Sequence, residues 1–225
     1  MAHGLVLQND TLDPPALLGD WLDERGIPFE VARVFEDGVP PDPRRFDWIA
    51  SMGSRHSVND TDPDWIPAEV GFLREAVAED VPVLGICFGG QALAAALGGE
   101  ISLAEPPAVG WFETQTSDPG LVSPGPWLHF NSERFAVPDG ATLVASLGES
   151  ASAFRVGPHL GLQFHPEATP ALAGRWGDHY TEWLAENGLL TPAGIREQAS
   201  AQSDEIGPRA FALFDAWWAG VRAPA

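Results

Sequence analysis

The sequence predicts an α/β fold, a mostly parallel sheet flanked by helices, with antiparallel strands appended. Three observations predict it. Strand-like and helix-like signals alternate through the first half of the chain. The only cysteine, Cys87, stands where an apolar run turns into a helix-forming run, with glycines on both sides. From Ile101 to about Phe164 the texture changes to short strand-like segments separated by Gly and Pro turns.

Leu5-Val6-Leu7 reads as the first strand. Pro14-Pro15 then opens a helical pattern of Leu17, Leu18, Trp21 and Leu22, closed by Gly26. Phe29 to Val34 alternates as a strand does, Gly38 to Pro43 is a proline-rich loop, and Phe46 to Met52 is a third strand ending at Gly53. Trp65 to Ala78 carries apolar residues at helical spacing. Val83 to Ile86 is a buried strand leading to Cys87, and Gln91 to Leu97 continues as helix. Strand-like segments follow at Trp111–Glu113, Trp127–Phe130, Thr142–Ala145, Ala153–Val156 and Leu160–Phe164. Helical patterns return at Ala171–Glu186, Ala193–Ser200 and Gly207–Val221. The organisation expected is a single domain over residues 1–225, with a helical C-terminal extension over 169–225. Trp183 and the Phe211, Phe214, Trp217 and Trp218 group fall at helical spacings and read first as packing against the sheet. The alternative is a docking face for a partner synthetase.

Composition excludes several function classes. The net charge is −20, from 32 acidic and 12 basic residues, and every basic residue is arginine. Without lysine there is no Schiff-base, pyridoxal-anchoring or P-loop lysine chemistry. A surface this acidic repels phosphate backbones, so nucleic acid is not an expected partner. No apolar run reaches the roughly 18 residues of a membrane span, and the N-terminus lacks a basic-then-apolar signal pattern. A single cysteine forms no internal disulfide. The expectation is a cytoplasmic protein with no membrane contact.

The chemistry concentrates in two stretches. In Gly85-Ile86-Cys87-Phe88-Gly89-Gly90-Gln91 a thiol stands at a helix start, where free N–H groups and the helix dipole favour negative charge. A thiol nucleophile needs a base, and the base needs orienting. Gln163-Phe164-His165-Pro166-Glu167 offers both, a histidine after a strand-like run and a carboxylate two residues on. His3, His56, His129, His159 and His179 lack a comparable setting and fit no metal-ligand spacing. No metal or cofactor is expected.

These two stretches together resemble the triad-type (class I) glutamine amidotransferases, nearest to the amidotransferase domain of GMP synthetases and its stand-alone relatives. That family resemblance implies a flavodoxin-like sheet. The likeness runs from roughly Phe46 to Glu167 and includes Met52-Gly53-Ser54-Arg55, similar to the family's Gly-Gly-Pro loop. It implies Cys87 as nucleophile, His165 as base and Glu167 as its orienter. It implies an oxyanion hole from the backbone N–H of Phe88 and one from the Gly53-Ser54 turn. Gln91 matches a residue that binds the amino-acid end of glutamine. Ser132 and Glu133 match a substrate-contacting element, where Asn131 and Glu133 replace the family's histidine and aspartate. Ser54 and Arg55 replace its second glycine and proline. Arg55 and His56 add polarity near the mouth, which fits the reading of an acidic group on a substrate or partner.

The activity implied is hydrolysis of a γ-glutamyl amide through a cysteine thioester, with ammonia supplied to a separate synthetase or other acceptor enzyme. A stand-alone γ-glutamyl amide hydrolase shares all of this chemistry. Ser54, Arg55 and Asn131 are the features that would favour a catalytically silent binding or regulatory module instead. A cysteine hydrolase of the DJ-1/protease type is a further reading, and it has no need of Gln91.

Overall fold

A computed structural model describes residues 3–221. The strands are β1 (Gly4–Gln8), β2 (Phe29–Arg33), β3 (Trp48–Ser51), β4 (Val83–Ile86), β5 (Ile101–Phe112), β6 (Gln115–Thr116), β7 (Trp127–Phe135), β8 (Thr142–Leu147), β9 (Ser150–Val156) and β10 (His159–Leu162). The helices are α1 (Ala16–Glu24), α2 (Val34–Asp37), α3 (Trp65–Ala78), α4 (Phe88–Ala96), α5 (Pro170–His179), α6 (Thr181–Glu186), α7 (Pro192–Ala201) and α8 (Ser203–Val221).

One sheet runs β2-β1-β3-β4-β10-β9-β8-β6. Its first five strands are parallel, and β9, β8 and β6 add on antiparallel. Strand side chains alternate between faces, and this divides the core. Val6 joins Leu18, Trp21 and Leu22 of α1 and Leu213, Phe214 and Trp217 of α8 on one face. Leu5 and Leu7 join Phe72 and Leu73 of α3 and Leu93 of α4 on the other. A third apolar cluster packs Val109 and Leu128 of the separate β5–β7 pair against Leu172, Trp176 and Ile195 of α5 and α7.

The parallel strands aim their carboxyl ends at one edge, where α/β sheets bind ligands. Asn9, Met52, Cys87 and Gln163 each follow directly on the ends of β1, β3, β4 and β10. The strand-to-helix corner is tight. Cys87 has φ +53°, uncommon for a side-chain-bearing residue. Its N–H donates to the Leu162 carbonyl at 2.8 Å, and the Gly89 N–H donates to the Met52 carbonyl at 3.1 Å. α4 therefore lies so close to β3 and β10 that a Cβ on Gly89 would overlap the Ser51 carbonyl, and one on Gly90 the Leu162 carbonyl.

The fold departs from the sequence expectation in detail. The helix expected over Ala171–Glu186 is broken at Tyr180 into α5 and α6, because Tyr180 leaves the regular helical conformation with ψ +21°. β5 is longer than the Trp111–Glu113 segment expected: a register shift between Leu103 and Ala108 carries the strand across Pro106 and Pro107. The aromatic residues of α8 pack on the sheet. Trp217 is buried, and Trp48 meets both Trp217 and Trp218 edge-on with ring centroids 6.1 and 6.0 Å apart. Residues 222–225 of the expected helical extension lie outside the described residues.

The corner yields a stability prediction. Gly89→Ala should lower unfolding free energy by about 3 kcal/mol or prevent folding, because the obstructing atoms are backbone. Gly71→Ala, within α3 with nothing near its added Cβ, should raise it by roughly 0.5–1 kcal/mol. Urea denaturation of both variants checks the contrast.

Candidate active site

Cys87, Gln91, Ser132, Glu133, His165, Ser54 and Arg55 all line one cavity of about 350 Å³. β10 and the turn after it deliver His165, whose N–H donates to the Leu128 carbonyl of β7 at 2.8 Å. Its Nδ1 lies 2.7 Å from Oε1 of Glu167, which is fully buried. Trp176 of α5 packs against the imidazole at 4.6 Å between centroids, and donates from its indole N–H to the Leu12 carbonyl at 2.9 Å. The imidazole is thus held at one nitrogen and against one face. Its Nε2 has no hydrogen-bond partner among the described residues.

Burial pushes the His165 imidazole down, but the Glu167 carboxylate and the Cys87 sulfur outweigh it and raise it well above the ordinary histidine value. A base so held favours the imidazolium form beside a thiol. His129 behaves oppositely: burial first, then the charge at His165, lowers it to about 3. It remains a neutral ring packed on Phe164.

The other expected site residues divide into groups. Gln91 is buried, and its amide donates to the Glu133 carbonyl at 3.2 Å and to Oε1 of Gln163 at 3.3 Å. The Glu133 carboxylate accepts from the Ser57 hydroxyl at 2.8 Å, and its backbone carbonyl also accepts from the Asn131 amide at 2.9 Å. Burial raises the Glu133 carboxyl above its ordinary range. Ser132 is exposed at the rim. Arg55 is half-exposed and places Nε 3.0 Å from Oδ2 of the buried Asp10, so its charge is already matched from within the protein. At the oxyanion position, Phe88 opens α4, where an N–H has no carbonyl behind it in the helix. The N–H groups of Gly53 and Ser54 donate to no described residue.

Three residues outside the sequence expectation complete the setting. The Gln163 amide reaches to 3.8 Å from the Cys87 sulfur and ties it to Gln91. Asp13, in the turn between β1 and α1, lines the cavity, and a Cβ on Gly53 would meet its Oδ1 at 3.0 Å and Cε1 of His165 at 3.3 Å. Glu69 of α3 lies fully buried beneath the loop after β3. It accepts from the Ser51 hydroxyl at 2.5 Å and the Asn9 amide at 3.1 Å, while Asn9 also donates to the Met52 carbonyl at 3.0 Å. This network braces the peptide immediately before Gly53.

Comparison with known proteins decides the family. The model of the family "Glutamine amidotransferase class-I" matches residues 57–176. The chain belongs to the class I glutamine amidotransferase family. It is 28% identical over 74% of its length to a glutamine-hydrolyzing GMP synthase of Alcanivorax borkumensis, of which it covers 36%. It is 35% identical over 44% of its length to a glutamine-hydrolyzing GMP synthase polypeptide of Halobacterium salinarum, of which it covers 60%. The chain thus spans only part of the curated relatives it matches, about a third of the longer one. Among solved structures, a glutamine amido transferase from Methylobacillus flagellatus superposes over 100% of this chain and 97% of its own, with a TM-score of 0.90 at 25% identity. No described helix of this amidotransferase-family chain is long and apolar enough to cross a membrane.

Glu69 generates a pH prediction. Burial raises its carboxyl to about 7 from an ordinary 4.5, against the lowering effect of the Ser51 and Asn9 hydrogen bonds. The folded state then holds a proton that the unfolded state releases, so stability falls as pH rises from 4.5 towards 7 and levels above it. Glu69→Gln keeps the acceptor oxygen without the ionisation. It should remove on the order of 3 kcal/mol of that decline. Thermal unfolding of both proteins across this pH range checks it.

Proposed function

We propose that the chain is a cysteine-dependent glutaminase that hydrolyses the side-chain amide of glutamine and passes the ammonia to a synthetase. One observation supports this most: Cys87, at a strained strand-to-helix corner, shares a cavity wall with an imidazole fixed by Glu167 at 2.7 Å. A nucleophile, a base and an orienter in one cleft form the arrangement acyl transfer requires.

In this reading the Cys87 thiolate attacks the amide carbon, and the oxyanion forms against the N–H of Phe88 and that of Gly53 or Ser54. The His165 imidazolium protonates the amide nitrogen, the C–N bond breaks and ammonia leaves. A γ-glutamyl thioester remains. Water then attacks it while the neutral imidazole takes the water's proton. Glutamate departs and the thiolate–imidazolium pair returns. Glu167 keeps the proton on Nδ1 and supports the charge on the ring. Gln163 braces the sulfur, and Gln91, Ser132 and Glu133 receive the amino-acid end of the substrate. Ser54 leaves the oxyanion geometry usable because the required group is its backbone N–H. The acceptor is a synthetase of the kind named in the GMP synthase relatives, encountered within one chain or as a separate partner protein.

Cys87→Ala and His165→Ala should each lower ammonia release from glutamine by on the order of 10⁴-fold or more, and Glu167→Gln by less. A glutamine-like electrophile should add once, at Cys87, and fail to add in His165→Ala; mass spectrometry reads both. Ammonia release unaffected by Cys87→Ala sinks the proposal. Addition of a synthetase with its nucleotide substrates should raise the rate, which coupled ammonia assays measure.

A further inference from the structure

The cavity extends past the catalytic group into a compartment that glutamine's amide does not fill. Its wall is aromatic. The Phe130 ring lies 5.7, 5.6 and 6.3 Å from the rings of Trp176, Tyr180 and Trp183, and all four residues face the cavity. Asp13 stands on the same wall. It is 7% exposed, and no described residue donates a hydrogen bond to its carboxylate. Arg55, which could have answered its charge, is engaged by Asp10 at 3.0 Å. Burial, foremost, raises the Asp13 carboxyl to about 7; His165 opposes that, and the carboxylates of Glu167 and Asp10 add to it. A buried carboxylate left without a partner gains by meeting a cation.

Placement says which part of a substrate would be met here. A general acid must reach the leaving nitrogen. Trp176 packs directly on His165, and Asp13 borders the same Gly53 position as the imidazole. The compartment therefore adjoins the leaving-group side. Gln91, Ser57, Asn131 and Glu133 form a separate hydrogen-bonded group for the glutamyl end. Aromatic faces with a free carboxylate select a cationic group, and a net charge of −20 draws cations to the surface.

We propose that this compartment binds the amine half of a γ-glutamyl amide whose leaving amine carries a second, protonated amino group, with Asp13 accepting from that group. The inference rests on the thioester chemistry proposed above and widens its substrates from glutamine to N-(aminoalkyl) γ-glutamyl amides. Cys87 attacks the amide carbon, His165 protonates the amide nitrogen and the diamine leaves. Water then cleaves the thioester, so one amide and one water give glutamate and one diamine.

The test compares initial rates of the full chain on three substrates: glutamine, the aminobutyl amide of the glutamate side chain, and its uncharged pentyl counterpart. The aminobutyl amide should exceed the pentyl amide in kcat/KM by about 10-fold or more. Asp13→Asn should abolish that preference, mainly through KM. Equal turnover of the two amides in the unaltered protein overturns the inference, as does an Asp13→Asn variant that lowers all three substrates in proportion. Calorimetry on Cys87→Ala separates this from the thioester reading. Tighter binding of the aminobutyl amide there supports the compartment even if turnover fails, and equal binding of both amides rejects it. Trp183→Ala, at the rim, gives the same comparison if Asp13→Asn does not fold, and a preference unchanged by it counts against the compartment.

Discussion

Cys87 is held at φ +53° because the chain around it leaves no alternative. Its own N–H is tied to β10 through the Leu162 carbonyl, and two residues on, the Gly89 N–H is tied to the end of β3 through the Met52 carbonyl. Helix α4 is pressed between these strands so closely that only glycine fits at Gly89 and Gly90. A strained residue of this kind costs on the order of 1–3 kcal/mol and persists only when its surroundings fix it. Here the surroundings are the buried parallel sheet itself. The constraint lifts the thiol out of the strand, opens the first N–H of α4 beside it, and sets the peptide after β3 across from both. The rest of the site is arranged around that corner.

Charge around the corner is controlled by giving three buried carboxylates different company. Glu167 has the His165 ring at 2.7 Å, and the two sustain each other's ionised forms. Glu69 has only a hydroxyl and an amide, and burial raises it to about 7. Asp13 has no donor among the described residues, and it reaches the same value. Glu69 is walled off from the cavity by the loop it braces, so its role is structural. Asp13 faces the cavity, so its unmet capacity is available to whatever enters.

The catalytic pair was legible in the sequence because both parts are local motifs: glycines around Cys87 and a carboxylate two residues after His165. The parallel sheet was legible for a similar reason, since apolar runs followed by helical periods leave a local signature. Asp13 and Glu69 left none. Asp13 reads as a turn residue before Pro14, and Glu69 as one polar position in an amphipathic helix. Only the sheet order, with β1 between β2 and β3, brings the turn after β1 next to His165. The topological rule that ligands meet the carboxyl ends of parallel strands would have pointed to that turn. Arg55 misled for the opposite reason. Its partner Asp10 lies far off in sequence, so a charge that reads as free is already matched. The break at Tyr180 was equally hidden, because apolar spacing continues through it.

The cavity joins two layers that do different work. Its floor, with Cys87 and the loop after β3, belongs to the parallel sheet, whose geometry is set by backbone contacts that tolerate little change. Much of its wall belongs to the β5–β7 pair and the α5–α6 hairpin, which have a hydrophobic cluster of their own. Side chains there meet one another as aromatic rings, and rings can be exchanged without moving the sheet. His165 crosses between the layers: its carboxylate partner sits below, its ring leans on Trp176, and its N–H is tied to β7. A change in the helical layer can therefore alter what is admitted beside the imidazole while the thiol stays in place. That separation explains how one corner geometry can serve ammonia release and, with a different wall, the release of a larger amine.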